Sequence, residues 1–247
     1  MNHNDIVRQS FKKQAEKFVA YHMSKVEYTD YLIQKIAATG EEHALEVAAG
    51  TCICGRALAP YVKDITCLDM TEEMLAQGIR LAEESHIENI YFQSGNAEKL
   101  PYEPETFDLV ITRLSFHHFD NPEKPFEEMK RVLKKGGKMV VWDMEAAEEP
   151  LREIDDKIEN MRDPSHTRIL SREEFEEMFK KDFALQCEET TLVPVNLKSW
   201  MELTDTSEDV QEEITNLMKA ELEGGRKTVF HHIIKIHKSC LIIDGYY

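Results

Sequence analysis

Residues 43–69 read HALEVAAGTCICGRALAPYVKDITCLD, and this stretch decides the fold. Two short apolar runs, at residues 43–49 and 64–68, flank a turn rich in small residues and a helix-like segment that extends to Val62. Short apolar runs that alternate with helical segments are typical of parallel strands covered by helices on both faces. The stretch therefore predicts a βαβ unit.

The same alternation continues along the chain. Further strands are predicted at residues 89–93, 107–112 and 138–142. Between them, Thr71 is placed to cap a helix that runs to Glu84. Asn121 is placed to cap a second helix, with Pro122 at its first position and its last residue at Leu133, before Lys135-Gly136-Gly137. Five parallel strands therefore span residues 43–143.

The two ends of the chain complete the prediction. Helices are expected over the first forty residues, at 151–162, from the Ser171–Glu174 capping box to about Lys181, and at 198–223, with late strand material at 183–197 and 228–243. The predicted fold is α/β, a doubly wound, seven-stranded, mostly parallel Rossmann-like sheet with helices on both faces and a helical substrate cap. We expect residues 1–40 to form an N-terminal helical lid on a domain of residues 41–247, in which 151–225 contribute a helical substrate wall.

Composition excludes several classes of protein. The 247 residues carry 30 Lys+Arg against 47 Asp+Glu, a net charge of −17, which disfavours sequence-independent nucleic-acid binding and a polybasic membrane anchor. No run approaches the roughly 20 apolar residues of a membrane span, and the first residues have no secretory apolar region. Five cysteines in mostly apolar runs indicate reduced thiols and a cytoplasmic protein. The Cys52-x-Cys54 pair has no second ligand pair nearby, so we expect packing and no metal.

Ligands of open α/β sheets bind beyond the carboxyl ends of the strands, so the turn after the first strand is the first candidate site. Three nucleotide-binding patterns compete there. A P-loop would need Lys and a hydroxyl where Arg56 and Ala57 stand, and a dinucleotide G-x-G-x-x-G would need Gly at Cys52. The third pattern is an acidic residue, a loop of small residues and an acidic residue that ends the next strand; Glu46 and Asp69 satisfy it.

The residues after the next strands suit a nucleoside. Asp69 offers two acceptor oxygens to the hydroxyls of a ribose. Met70 and Met74 can place thioethers on an adenine face. Asn96 can accept from the adenine amine, while the N–H of Ala97 donates to a ring nitrogen.

Four segments together resemble the class I S-adenosylmethionine-dependent methyltransferases, in the branch of the ubiquinone/menaquinone-biosynthesis methyltransferases. They read ALEVAAGT, CLDMTEEML, GNAEKLPYEPETFDLVITRLSFHHFDNPEK and MKRVLKKGGKMVVWD, and they cover residues 43–143. The resemblance implies S-adenosylmethionine as cofactor and methyl transfer to a small molecule. It places Glu46, Ala48, Gly50 and Thr51 along the methionine part of the cofactor, Asp69 at the ribose, Met70 at the adenine, Asn96 and Ala97 at the adenine edge, Arg113 and Leu114 with their backbone at the methionine amino group, and His118 near them.

The chain departs from the family's G-x-G-x-G loop, since Ala48 and Cys52 replace two of its glycines. Ala48 fits without strain if its φ is negative, whereas a Cβ at Cys52 can force strain or weaken binding. A binding module without turnover therefore stays open as an alternative, as does a nicotinamide-dependent oxidoreductase.

Catalysis by a bound cofactor needs no fixed triad, and the sequence names no catalytic group. Candidate bases or substrate contacts are Tyr21, His117 and His166. His231-His232 on a late strand point to opposite faces, which favours a structural role. We expect a small-molecule acceptor as partner, no nucleic acid and no membrane span, and the sequence is compatible with a homodimer.

Overall fold

A computed structural model describes residues 1–23, 26–147, 151–224 and 235–247 of the chain. Its strands are β1 (His43–Val47), β2 (Asp64–Asp69), β3 (Ile90–Ser94), β4 (Phe107–Arg113), β5 (Leu133–Met144), β6 (Ala184–Asn196) and β7 (Lys235–Tyr246). Its α-helices are α1 (His3–Met23), α2 (Val26–Ile36), α3 (Ile53–Leu58), α4 (Glu72–Glu84), α5 (Glu123–Val132), α6 (Leu151–Arg162), α7 (Arg172–Lys180), α8 (Leu197–Leu203) and α9 (Glu208–Glu223).

The strands form one seven-stranded sheet in the order β3-β2-β1-β4-β5-β7-β6. Neighbouring pairs are parallel from β3 to β5, and β7 runs antiparallel to both β5 and β6. The predicted seven-stranded, mostly parallel sheet is confirmed. Successive strands are added in one direction from β1 to β3 and in the opposite direction from β4 onwards, so the topological switch point lies between β1 and β4. Ligands of such sheets bind at this point.

Apolar side chains on both faces of the sheet make two core layers. Ala44 and Ile111 face one layer, while Leu45, Val47 and Val110 face the other. The strands read as nearly continuous apolar runs for this reason.

The structure differs from the predictions at both ends of α5 and at the cap of α4. Helix α5 ends at Val132, and the following residues already belong to β5, so Gly136-Gly137 does not end the helix. Gly136, at φ +77°, lies where the pairing of β4 with β5 shifts register between Leu133 and Lys138. The helix also begins at Glu123 with Pro122 in the cap position, one residue later than predicted. At α4, the Thr71 hydroxyl makes no capping bond, although Thr71 occupies the cap position.

The C-terminal third follows the prediction with one break. The Ser171–Glu174 capping box is present at the start of α7. The stretch predicted as one helix over 198–223 is divided into α8 and α9 by a turn at Thr204–Ser207, where Asp205 has φ +55°. His231 and His232 lie outside the described residues.

Candidate active site

A cavity opens at the carboxyl ends of β1, β2 and β4. Eleven of the twelve predicted cofactor residues line it: Glu46, Ala48, Gly50, Thr51, Asp69, Met70, Met74, Ala97, Arg113, Leu114 and His118. The structure therefore brings together residues from four separate segments of the sequence.

The loop after β1 is left-handed at three alternate positions. Ala48 has φ +53°, Gly50 has φ +54° and Cys52 has φ +56°. The family's three glycine positions thus keep a glycine-like backbone although two of them carry a Cβ. The condition under which Ala48 would fit without strain, a negative φ, is not met, because the tight turn imposes the left-handed conformation regardless of the side chain.

The Cys52 side chain does not enter the cavity. It is fully buried and points at α4, where its Sγ lies 2.7 Å from the position that a Cβ on Gly78 would take. The missing side chain at Gly78 makes room for the extra side chain at Cys52. Cofactor binding is therefore not blocked at this position.

Glu46 ends β1 as a buried carboxyl group at the cavity wall. Its Oε2 accepts from the Gly55 N–H at 2.8 Å and from the Cys67 thiol at 3.4 Å. Burial raises the pKa of Glu46 to about 7, against the opposing effect of the Gly55 N–H. A positively charged ligand group would shift this carboxyl group towards its ionised form.

Asp69 joins the loop to the next helix. Its Oδ2 accepts from the Gly50 N–H at 2.7 Å, and its Oδ1 accepts from the Thr71 N–H at 2.8 Å. Burial raises the pKa of Asp69, and the two N–H groups act against that rise. Asp69 lines the cavity, and carboxylate oxygens accept hydrogen bonds from hydroxyl groups.

The adenine-side predictions have different outcomes in the structure. Met70 and Met74 both line the cavity, and the Met74 methyl carbon lies 3.1 Å from an ideal Cβ on Gly50. Ala97 lines the cavity as well, whereas Asn96 does not. The Asn96 Oδ1 accepts from the Glu98 N–H at 2.8 Å and stabilises the loop itself. Its role at the adenine stays a prediction.

Arg113 and Leu114 end β4 at the cavity. The Arg113 guanidinium lies 4.9 Å from the centre of the Trp142 ring, in a cation–π contact. Leu114 is left-handed at φ +52°, and its N–H donates to the Trp142 carbonyl at 2.8 Å. The Leu114 N–H is therefore occupied, and the Leu114 carbonyl oxygen is the backbone group that can accept from an amino group.

Three histidines form a buried cluster beside the cavity. The ring centres of His117 and His118 are 4.2 Å apart, and His166 lies 5.7 Å from His117. His117 Nδ1 is 2.6 Å from Asp143 Oδ1, and His166 Nε2 is 3.1 Å from Asp156 Oδ1. Within the described residues, only His118 of the three lines the cavity.

Asp143, at the end of β5, was missed as a site residue. Burial alone would raise its pKa, but the His117 ring and the N–H groups of Ser115 and Phe116 lower it below the usual value. It fixes the turn that carries His117 and His118. An acidic residue directly after a buried strand was the signal that could have identified it.

Helix α1 closes the cavity opposite the strands. Val7, Phe11 and Phe18 line it from this helix. The helical spacing of Phe11 and Phe18 predicted the helix, but none of the three was predicted as a site residue. The structure describes only the backbone of Tyr21, in the last turn of α1. Among the described residues, none from 151–225 lines this cavity, so their role as a substrate wall stays a prediction.

Comparisons with known proteins agree with this geometry. Residues 45–141 match the family model of a methyltransferase domain. The uncharacterized methyltransferase YcgJ of Bacillus subtilis is 32% identical over 80% of this chain and 79% of its own length. The chain belongs to the class I S-adenosylmethionine-dependent methyltransferases. The crystal structure of YcgJ superposes with a TM-score of 0.81 at 29% identity, covering 88% of this chain and 97% of that one.

Two further relatives define the limits of the likeness. A demethylmenaquinone methyltransferase of Alkalihalophilus pseudofirmus is 35% identical, but the match covers only 40% of the chain described here and 43% of the relative. The phosphoethanolamine N-methyltransferase 2 of Haemonchus contortus was solved in complex with S-adenosyl-L-methionine. It superposes with a TM-score of 0.69 at 17% identity, covering 100% of this chain and 60% of that one, so the likeness shows the fold alone.

The cavity fits the cofactor of this family, S-adenosylmethionine. Its small residues at Ala48, Gly50, Gly95 and Ala97 allow a close approach, and Asp69 offers acceptor oxygens to a ribose. The relatives and solved structures named above are methyltransferases and not nicotinamide-dependent oxidoreductases. Among the described residues, no helix is long and apolar enough to cross a membrane.

Proposed function

We propose that this methyltransferase transfers a methyl group to a small, largely apolar acceptor by in-line displacement. The observation that carries the proposal is a cavity in which strand-end residues, among them the Asp69 carboxylate, face apolar side chains of α1. S-adenosylmethionine supplies an electrophilic methyl group when bound. The residues of the chain contribute orientation and exclusion of water, which supply much of the rate of such reactions.

The proposed roles follow from the hydrogen-bonding groups. Asp69 accepts from the ribose hydroxyls, Ala97 donates its N–H to the adenine, and Met70 covers the ring. Glu46, Ala48, Gly50 and Thr51 hold the methionine part, and the Leu114 carbonyl accepts from its amino group. The Arg113 guanidinium, fixed on Trp142, is placed to neutralise a carboxylate.

A small-molecule acceptor is supported by the relatives named as quinone methyltransferases, although these match only part of the chain. The net charge of −17 disfavours nucleic acid as acceptor. The cytoplasmic location and the homodimer remain predictions.

Calorimetry tests the cofactor site. S-adenosylmethionine and its demethylated product should bind, and NAD and ATP should not; binding of NAD alone would overturn the proposal. Cofactor binding without transfer to any tested acceptor would favour the binding module.

Asp69→Ala should weaken binding of the demethylated product by a few-fold to about a hundredfold, because a charge-assisted pair of hydrogen bonds is lost. Asp64→Ala is the matched control, since Asp64 begins the strand that Asp69 ends. An unchanged dissociation constant for Asp69→Ala would contradict the assigned role.

A further inference from the structure

His118 differs from the other two clustered histidines in its place in the site. His117 and His166 each face a carboxylate, Asp143 and Asp156. The His118 ring lies on the cavity wall and contacts Phe11 of α1 edge to face, with ring centres 5.0 Å apart. It is therefore the histidine that an acceptor in the cavity can reach.

Hydrogen bonding fixes the tautomer of His118. Its Nδ1 lies 3.0 Å from the Ser165 carbonyl oxygen, which can only accept, so Nδ1 carries the hydrogen. The Ser165 hydroxyl, 3.1 Å from Nδ1, in turn donates to Asp163 at 2.6 Å. Nε2 then holds a lone pair, and no hydrogen-bond partner for it occurs among the described residues.

The surroundings keep the ring uncharged. Burial lowers the pKa of His118 to about 3, and the neighbouring His117 and His166 act in the same direction, while Asp163 opposes them. From α1, His3 Nε2 contacts the His118 carbonyl at 2.8 Å. The Nε2 lone pair is thus available throughout the neutral range.

The wall facing His118 is apolar. Val7, Phe11 and Phe18 line the cavity from α1 without a charged group among them. A charged group of the acceptor that faced α1 would lose its hydration without gaining a partner from this helix. The wall favours an uncharged aromatic or aliphatic body.

We propose that His118 is the general base of the reaction, and that the acceptor is an apolar molecule with an ionisable O–H or an enolisable C–H. This rests on the proposed function. The acceptor oxygen or carbon forms a bond to the methyl carbon, and the sulfur–methyl bond breaks with its electron pair on sulfur. The proton of the acceptor passes to His118 Nε2 and then to solvent.

The charge balance favours a neutral base in this position. The reacting groups carry one positive charge before the step, on the sulfonium, and one after it, on the imidazolium. Ser165 and Asp163 lie behind Nδ1, where they stabilise the imidazolium as it forms. An acceptor O–H beside the sulfonium is also easier to ionise, because a nearby positive charge favours the anion.

The first experiment measures the tautomer without any turnover. Long-range ¹H–¹⁵N spectra of the histidine-labelled full chain, bound to the demethylated cofactor, should show a neutral His118 ring protonated at Nδ1 from about pH 5 to 8. The resonance is assigned by its loss in His118→Asn. A ring protonated at Nε2, or charged at neutral pH, would overturn the proposal.

The second experiment compares 2-naphthol with 2-naphthalenethiol at about pH 8, where the thiol is largely ionised and needs no base. His118→Asn keeps a side-chain amide near the position of Nδ1 but lacks Nε2. It should lower kcat for the naphthol by about a hundredfold or more and change the thiol reaction by only a few-fold. Equal losses on both probes would contradict a role as base.

Two controls separate this inference from the proposed function. His86→Asn, at an exposed left-handed position, should leave both probes unaffected. Calorimetry with the demethylated cofactor should show that His118→Asn still binds it with at most a few-fold loss of affinity, since His118 borders the predicted cofactor residues. If neither His118→Asn nor the unaltered chain binds the cofactor, the proposed function is refuted. If both bind it and His118→Asn shows no selective loss of kcat on the naphthol, only the role of His118 as base is refuted. If neither probe is methylated, the His118 tautomer measured in the first experiment decides whether the proposed base is retained or overturned.

Discussion

At the scale of single residues, the loop after β1 holds two side chains in a conformation that favours glycine. Ala48 has φ +53°, and a left-handed residue with a Cβ costs about 1–2 kcal/mol. Glycine removes that strain, but it also gives the unfolded chain more conformational freedom, which lowers the free energy of unfolding by about 0.4–1 kcal/mol. We therefore predict that Ala48→Gly raises the free energy of unfolding by roughly 0.5–1 kcal/mol in urea titrations.

The adjacent Ala49 provides the control for Ala48. It is buried and does not have a positive φ, so Ala49→Gly should lower the free energy of unfolding by about 0.5–1 kcal/mol. If both substitutions destabilise the protein equally, the left-handed turn stores no strain at Ala48.

Glu46 gives the protein a specific dependence on pH. Its pKa in the fold is about 7 against an ordinary value of 4.5, so its protonated form is favoured by folding. This contribution is fully present below about pH 4.5 and is lost as the pH rises through about 7. Glu46→Gln should remove that fall, which amounts to up to about 3 kcal/mol, from unfolding curves recorded between pH 5 and 8.

Glu84→Gln, which removes an exposed ion pair with Arg80, is the control for Glu46→Gln. It should leave the slope of stability against pH unchanged. A slope retained in Glu46→Gln would show that another group is responsible for it.

The sequence was sufficient to predict which strand-end residues meet at the cavity, because the strand ends in a parallel sheet converge. It was not sufficient to predict where single side chains point. Cys52 turns towards Gly78, and Asn96 bonds within its own loop. Both outcomes depend on contacts between segments, which local pattern does not contain.

At the scale of secondary-structure elements, Gly78 lets α4 pack against the loop that precedes α3. A Cβ on Gly78 would lie 2.7 Å from the Cys52 Sγ and 3.2 Å from its Cβ. We predict that Gly78→Ala lowers the free energy of unfolding by about 1–3 kcal/mol, despite the better helix propensity of alanine.

Cys52→Gly removes the two side-chain atoms that the methyl group added by Gly78→Ala would meet. The double variant should therefore be more stable than the sum of the two single changes predicts, with a coupling of about 1 kcal/mol or more. Strictly additive changes in a thermal-unfolding cycle would show that the two residues do not share this space.

The elements themselves were largely predictable, and their errors have a common cause. The alternation of strands and helices over 43–143 gave the sheet, since each buried strand is a short apolar run. Gly136-Gly137 was interpreted as a helix end, although it belongs to β5. The backbone of Tyr247 pairs with both glycines, and a partner more than a hundred residues away leaves no local signal.

At the scale of the whole molecule, Asp163 fastens α1 to the body of the protein. Its carboxylate accepts from Ser10 Oγ at 3.0 Å and from Gln14 Nε2 at 3.4 Å, as well as from Ser165. Asp163→Asn should lower the free energy of unfolding by about 1–3 kcal/mol. It should also speed hydrogen exchange across α1, because the buried donors lose their acceptor.

Asp205→Asn is the control for the hydrogen bonds between Asp163 and α1. Asp205 also contacts α1, through an ion pair with Lys17, but it is exposed. An exposed ion pair contributes little, and asparagine tolerates the left-handed φ of this position. Exchange in α1 should therefore stay unchanged. A comparable increase in both variants would mean that charge, and not the buried network, holds the helix.

The division of the cavity between strand ends and a single helix has a consequence for how such enzymes diversify. One wall is built into the sheet and tolerates little change, whereas the other is twenty-one residues of continuous sequence. Chimeras that exchange residues 3–23 with those of a relative should acquire that relative's acceptor preference while retaining their own affinity for the methyl donor.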